Sequence, residues 1–293
     1  MIYSFLYVLV FSVALILIQK LDLSIPPLFS LLITASIASL YFNMINRHHF
    51  KKIYADCLVN KKEWFLVMVI VLVMWVTTMI GPGKIGASLF NFIYFAWLGM
   101  LGFMLLSLQN WQEHRIKFYF GLCLFLLIII NVFFELQSSF SLDTIYGISL
   151  ALLGGTFSFI YFKKSQALAK NANLSATQVL AVRFYLAIIV LFLILPKQHM
   201  EQYFTFSNSF NLIVLAFFSL IIPLYFSQKA LEKITSEQHA IINSLCPLVT
   251  GVLQELIFKD IKNEQMTVYF LYTLAIICFY FINKYNQKMD FAK

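Results

Sequence analysis

Between residues 236 and 254, Ser236, His239, Asn243, Pro247, Thr250 and Gln254 recur at intervals of three or four within an otherwise apolar run. On a helix that spacing puts them on one face. The stripe offers hydrogen-bond donors, acceptors and one imidazole, which is the chemistry of holding a polar solute. Pro247 adds to it by freeing a carbonyl one turn earlier, near Asn243. Two roles are open to such a face: lining a cavity, or hydrogen bonding to neighbouring helices in place of a solute. The length of the stripe favours the cavity.

Other apolar runs carry smaller sets. Ser88, Asn91, Tyr94 and Trp97 share a run with Gly99 and Gly102, which allow close helix approach. Ser219, Pro223 and Ser227 lie on one face, with Tyr225 and Gln228 beside them. Gly147, Ala151, Gly154 and Ser158 form a small-residue face with Tyr161 below it, a pattern that more often marks a packing seam. Trp75, Thr77 and Thr78 are expected near the outer mouth. The candidate solute-binding residues are therefore Asn91, Tyr94, Trp97, Ser158, Tyr161, Tyr225, His239, Asn243 and Thr250.

Charge is scarce inside the runs. Arg183 is the one basic residue well within a run, where an ionisable group is a functional candidate; it would bind an anion. It can also snorkel to the inner interface, and that structural role is favoured here. No Asp or Glu falls near mid-run: Glu135 and Glu255 are close to outer ends, and Glu237 is at an inner end. A carboxylate proton relay is therefore unsupported, and His239 and Glu255 remain as titratable candidates for coupling. Exchange driven by the solute gradient is as plausible.

No catalytic, metal or cofactor site is expected. Cys57, Cys123, Cys246 and Cys278 are widely separated, with no C-x-x-C pair. His48-His49 with Asp56 and Cys57 is the single grouping that could serve a lipid-modifying enzyme, and its Lys-rich surroundings fit a loop facing lipid headgroups.

The elements that must position these residues follow from composition. Of 293 residues, 61% are hydrophobic and 12% charged, with 32 Phe and 15 Tyr. Hydrocarbon is the solvent in which so much apolar surface can face outward on all sides. The net charge of +8 falls in short runs between apolar stretches, which suits anionic headgroups and not nucleic acid. Bilayer-length runs are expected near 2–18, 27–45, 64–80, 86–107, 116–135, 144–162, 176–195, 211–228, 237–258 and 266–283: an all-α integral membrane fold of ten transmembrane helices. The first run begins at Ile2 with no positive n-region or cleavage site, so that helix is expected to stay in the mature protein. The loops are tight, as at Ile25-Pro26-Pro27, Gly81-Pro82-Gly83-Lys84 and Lys259-Asp260-Ile261-Lys262-Asn263; the largest spans residues 46–63. With both termini in the cytoplasm, fifteen of the 21 Lys and Arg fall on the inner side, as the positive-inside rule requires. The expected location is a bacterial inner (plasma) membrane, with lipids and a small solute as partners, as a monomer or homodimer.

Two five-helix units, 1–140 and 141–293, can be overlaid. Phe11-Ser12 matches Phe157-Ser158, Leu23-Ser24 matches Leu174-Ser175, and Lys84-Ile85 matches Lys233-Ile234, in the same order and at offsets of 146, 151 and 149. An odd helix number makes such repeats inverted, the usual architecture of alternating access.

The stretch Ala230-Leu231-Glu232-Lys233-Ile234-Thr235, the following helix with Pro247, then Lys259-Asp260 and a last apolar helix resemble the second half of an EamA-type carrier of the drug/metabolite transporter superfamily. Leu174-Ser175-Ala176-Thr177 leading to Arg183-Phe184 resembles that family's seventh helix. The chain departs from the pattern at Trp97-Leu98, where proline is frequent; at Asp260, where Glu is usual; and in the tenth helix, where aromatic and aliphatic residues replace glycine. The resemblance implies a central cavity lined by helices one, three, four, six, eight and nine, and a carrier, not an enzyme. A neutral, aromatic, hydrogen-bonding cavity suits export of amino acids or related metabolites. The alternatives are import of a nucleotide-like metabolite such as S-adenosylmethionine and, less favoured, lipid modification.

Overall fold

The structure, a computed structural model, describes residues 1–22, 25–109, 111–138, 140–195, 203–258, 266–276 and 278–279. Among these, every regular element is a helix. Apolar side chains can be solvated by lipid, whereas backbone N–H and C=O groups cannot, so the chain satisfies them within helices. The helices are α1 (Ile2–Asp22), α2 (Pro27–Ile45), α3 (Phe50–Val59), α4 (Lys61–Ile85), α5 (Ala87–Gln109), α6 (Trp111–Ser138), α7 (Leu142–Asn171), α8 (Ala176–Val182), α9 (Tyr185–Ile194), α10 (Phe206–Leu215), α11 (Ile222–Leu231), α12 (Ser236–Asn243), α13 (Cys246–Phe258) and α14 (Met266–Ile276).

Nine stretches among the described residues are long and apolar enough to cross a bilayer, and they coincide with the first nine expected runs. Of the tenth, α14 is described. Leu23-Ser24, the loop at 259–263 and the end of the tenth run lie outside the described residues.

Three spans are interrupted. The seventh breaks at Arg183-Phe184 between α8 and α9. In the eighth, Ala216–Ile221 widens to a π-helical turn just before Pro223, relieving the clash a proline ring makes with the preceding turn. The ninth, expected as one continuous run, stops at Asn243 and resumes at Cys246, just before Pro247, whose ring was expected only to free a carbonyl near Asn243. Residues 46–63, expected as a loop, contain α3, which buries Ile53 and Cys57 and exposes Lys51 and Lys52.

Caps fix where the spans begin. Ser175 and Thr235 open the seventh and ninth spans with capping boxes completed by Gln178 and Gln238. Ser141 accepts from Thr144 N at 3.1 Å at the start of α7.

The packing partners follow a pattern. The first span lies against the eighth and ninth, and the sixth lies against the third and fourth. The second packs on the seventh, and the fourth on the ninth. Exchanging helices one to five with six to ten maps this set of partners onto itself. Small residues permit the closest approaches: a Cβ on Gly154 would sit 2.7 Å from Thr77 Oγ1 and from the Tyr94 ring, and one on Gly99 2.8 Å from Ser244 Cβ. The small-residue face of α7 is thus a seam against α4 and α5.

Candidate functional site

Where the two halves meet, Tyr7 and Phe11 of α1, Met74, Trp75 and Thr78 of α4, Tyr94 of α5, Ser158, Tyr161 and Phe162 of α7, and Leu224 of α11 enclose a small void. It has room for about one water molecule. Five of the six implied cavity helices line it directly. The ninth joins through His239, whose ring packs on Phe162 at 4.6 Å and on Tyr7 at 5.6 Å between centroids.

Polar groups around the void are tied in pairs across the halves. Tyr94 Oη hydrogen-bonds Ser158 Oγ. Ser12 Oγ donates to Val8 O on its own helix at 2.8 Å and lies 3.4 Å from Cys246 O on the ninth span. His239 Nδ1 lies 3.0 Å from Ser4 Oγ, and its Nε2 lies 2.8 Å from Ser227 Oγ and 3.2 Å from Asn243 Nδ2. With Asn243 donating, Nε2 accepts and Nδ1 donates to Ser4. Trp75 Nε1 and Asn243 Oδ1 are buried without partners among the described residues, which leaves hydrogen-bonding capacity unused.

Both ends are shut. At the end where α4 leads into α5, Ser88 N donates to Gln254 Oε1 at 2.5 Å, Ser88 Oγ donates to Tyr269 Oη at 2.9 Å, Ala87 N donates to Gln19 Oε1 at 2.9 Å, and Asn91 Nδ2 donates to Thr250 Oγ1. Lys84 Nζ meets Asp143 Oδ1 at 2.9 Å. At the opposite end, where α11 leads into α12, Gln166 Nε2 donates to the carbonyls of Leu231 at 2.8 Å and Ile234 at 3.1 Å, Ala176 N donates to Glu232 Oε1 at 2.8 Å, and Lys163 Nζ lies 3.1 Å from Glu237 Oε1.

Measured against the sequence expectations, Tyr94, Ser158 and Tyr161 line the void, and His239 and Asn243 border it. Asn91 and Thr250 bond each other away from it, toward the Gln254 end of the ninth span. The ninth-helix stripe is buried throughout, but toward that end its members join α5. Trp97 faces the other way: its Nε1 donates to Thr156 Oγ1 at 2.8 Å, and its ring lines an apolar groove with Phe125 and Ile128. Tyr225 is half-buried beside Phe226. Glu255 is half-buried on α13 near the outer end.

Trp75 and Thr78, expected at the outer mouth, face the void instead. Tyr7, Phe11 and Phe162 were not singled out as lining residues, because an aromatic at helical spacing reads as core. Arg183 does not snorkel: it is 1% exposed. His48 and His49 are exposed, while Cys57 is buried. Burial pushes the Cys57 thiol up to about 11, with the neighbouring Asp56 adding to the effect, so it is no nucleophile at neutral pH.

The fold and this centre define a multi-pass helical membrane protein closed around a site shared by its two halves. Residues 145–282 match the model of the EamA-like transporter family. Over that stretch, just under half of its length, the chain is similar to a family of the drug/metabolite transporter superfamily whose members are membrane transporters. No curated protein matches it.

Proposed function

We propose that the protein carries a small zwitterionic metabolite, an amino acid or a close relative, across a bacterial inner membrane by alternating access, exporting it with both termini in the cytoplasm. The observation that carries this reading is the void at the seam: six of its lining residues come from the first half and four from the second. A site made by both halves changes its exposure when the halves rock against each other. The exchange symmetry of the packing partners supports an inverted repeat, as does the pairing of Ser12 with the ninth span and of Ser158 with the fourth. The void is too small for an amino acid as it stands, so a solute enters only when one end opens. Aromatic walls with a few hydroxyls and an imidazole suit a solute with an apolar body and polar ends.

The test is uptake and efflux of labelled amino acids, nucleosides and sulfonium compounds in vesicles holding the purified chain, compared with Trp75→Phe and Asn243→Ala. Saturable flux of an amino acid, weakened in both variants while the protein stays folded, is the expected result. Flux of a nucleoside alone would replace the substrate class. Modification of lipid with no flux would overturn the carrier.

A further inference from the structure

Arg183 sits at the break between α8 and α9 with its side chain wholly enclosed. Its Nη1 donates to Tyr161 Oη at 2.5 Å, and the guanidinium lies 5.4 Å from the Tyr161 ring centroid and 4.5 Å from that of Phe184. Among the described residues, Nε and Nη2 have no partner. These two nitrogens share one edge of the guanidinium plane and project parallel N–H bonds, the fork that receives both oxygens of a carboxylate. A guanidinium stays cationic in proteins, and among the described residues no carboxylate pairs with it.

The break does not account for the arginine. The carbonyls freed there are held by other side chains: Asn43 Nδ2 donates to Ala181 O at 3.0 Å, and Trp64 Nε1 donates to Val182 O at 2.9 Å. Arg183 is left with one neutral acceptor, Tyr161 Oη, and Tyr161 is also a wall of the void. Tyr161 Oη in turn donates to Gln228 Oε1 at 3.3 Å, which also receives Ser165 Oγ at 2.9 Å. A second unpartnered donor, Trp75 Nε1, borders the same void. The site is therefore rich in donors and short of an anion.

We propose that the free edge of Arg183 is a carboxylate subsite: when the halves part, the carboxylate of the solute takes the Nε–Nη2 fork while its body lies against Tyr161 and the void's aromatic walls. This rests on the carrier reading and adds to it which end of the solute is recognised and by what.

The test measures thermal stabilisation of the full chain in dodecyl maltoside, a detergent with no anionic group, by the standard L-amino acids, acetate, succinate and citrate. Each amino acid is compared with its own carboxamide. The expected result is that at least one acid stabilises the protein and its carboxamide binds about tenfold or more weakly, the scale of a lost charge-assisted bond pair. Arg183→Gln should erase that preference, and Arg183→Lys, which keeps the charge without the fork, should retain part of it. If Arg183→Gln does not fold, the acid-to-amide ratio in the unaltered chain and in Arg183→Lys decides. Equal binding of acid and amide, a preference surviving in Arg183→Gln, or no stabilisation by any acid would overturn the subsite. Flux in vesicles without acid preference sinks the subsite and spares the carrier; acid preference without flux does the reverse.

Discussion

Lys84 Nζ and Asp143 Oδ1 meet at 2.9 Å, tying the residue that leads into the fourth span to the first turn of the sixth. Lys233, which leads into the ninth span, lies with its Nζ 5.1 Å over the ring of Tyr3 at the start of the first. Lys84 and Lys233 thus each reach the opening turn of a distant helix, α7 and α1 respectively, one at each end of the molecule. Under the alternating-access proposal, each contact closes its end when made and releases it when broken.

The Lys84–Asp143 contact is exposed, with side-chain accessibilities of 36% and 68%. Such pairs contribute less than about 1 kcal/mol. Lys84→Ala and Asp143→Asn are therefore expected to leave the melting temperature nearly unchanged while increasing outward exposure of the void, read as faster labelling of a Thr78→Cys reporter by an impermeant maleimide from outside. A large loss of stability with no change in labelling would make the pair a structural tie.

Gly154 tests the seam. Its missing Cβ would lie 2.7 Å from both Thr77 and the Tyr94 ring, and overpacking of this kind costs about 1–3 kcal/mol. Gly154→Val is expected to lower stability by that amount and to weaken transport by displacing Tyr94 from Ser158. Unchanged stability would show that α4 and α7 are less closely packed than described.

At the seventh-span break, Trp64→Phe leaves the Val182 carbonyl buried without its donor. Such an orphan costs about 1–3 kcal/mol, and chemical denaturation of the variant in detergent should register a loss of that order. No loss would mean that another group, or water, satisfies the carbonyl.

Cys57 on α3 gives a pH dependence. Its folded-state thiol is pushed from the usual 9 up to about 11 by burial, so the protonated form is favoured in the fold. The associated stability is fully present below pH 9 and is lost as pH rises through about 11. Maleimide labelling of Cys57 in the folded protein should be slow at pH 8 and rise toward pH 11. Rapid labelling at pH 7 would mean that α3 does not hold the thiol against α4.

Much of the fold was legible because lipid imposes length and apolarity on each span: nine runs follow from counting residues, and Pro247 marked where the ninth would lose a backbone bond. The break at Arg183-Phe184 was not, since neither residue is Gly or Pro; it depends on Asn43 and Trp64, more than a hundred positions away, receiving the freed carbonyls. α3 was hidden by its charge, because Lys51 and Lys52 read as loop while Ile53 and Cys57 tuck under them. In the site, the polar stripe of the ninth span was visible as a face but not the partner it meets, so Thr250 and Asn91 looked free and prove to be joined. Trp75 and Trp97 were indistinguishable by type; which one looks inward is set by the rotation of α4 and α5 about α7.

The central claim is that one void between the halves opens to one side at a time. It is tested most directly by accessibility in a chain whose four native cysteines, Cys57, Cys123, Cys246 and Cys278, have been replaced. Thr78→Cys reports on the void, and one end is locked by cross-linking either Lys84→Cys to Asp143→Cys or Tyr3→Cys to Lys233→Cys. With the outer end locked, Thr78→Cys should react only with reagent supplied from the cytoplasmic side; with the inner end locked, only with reagent from outside. Labelling that ignores the locks, or that arrives from both sides at once, would contradict alternating access through this site.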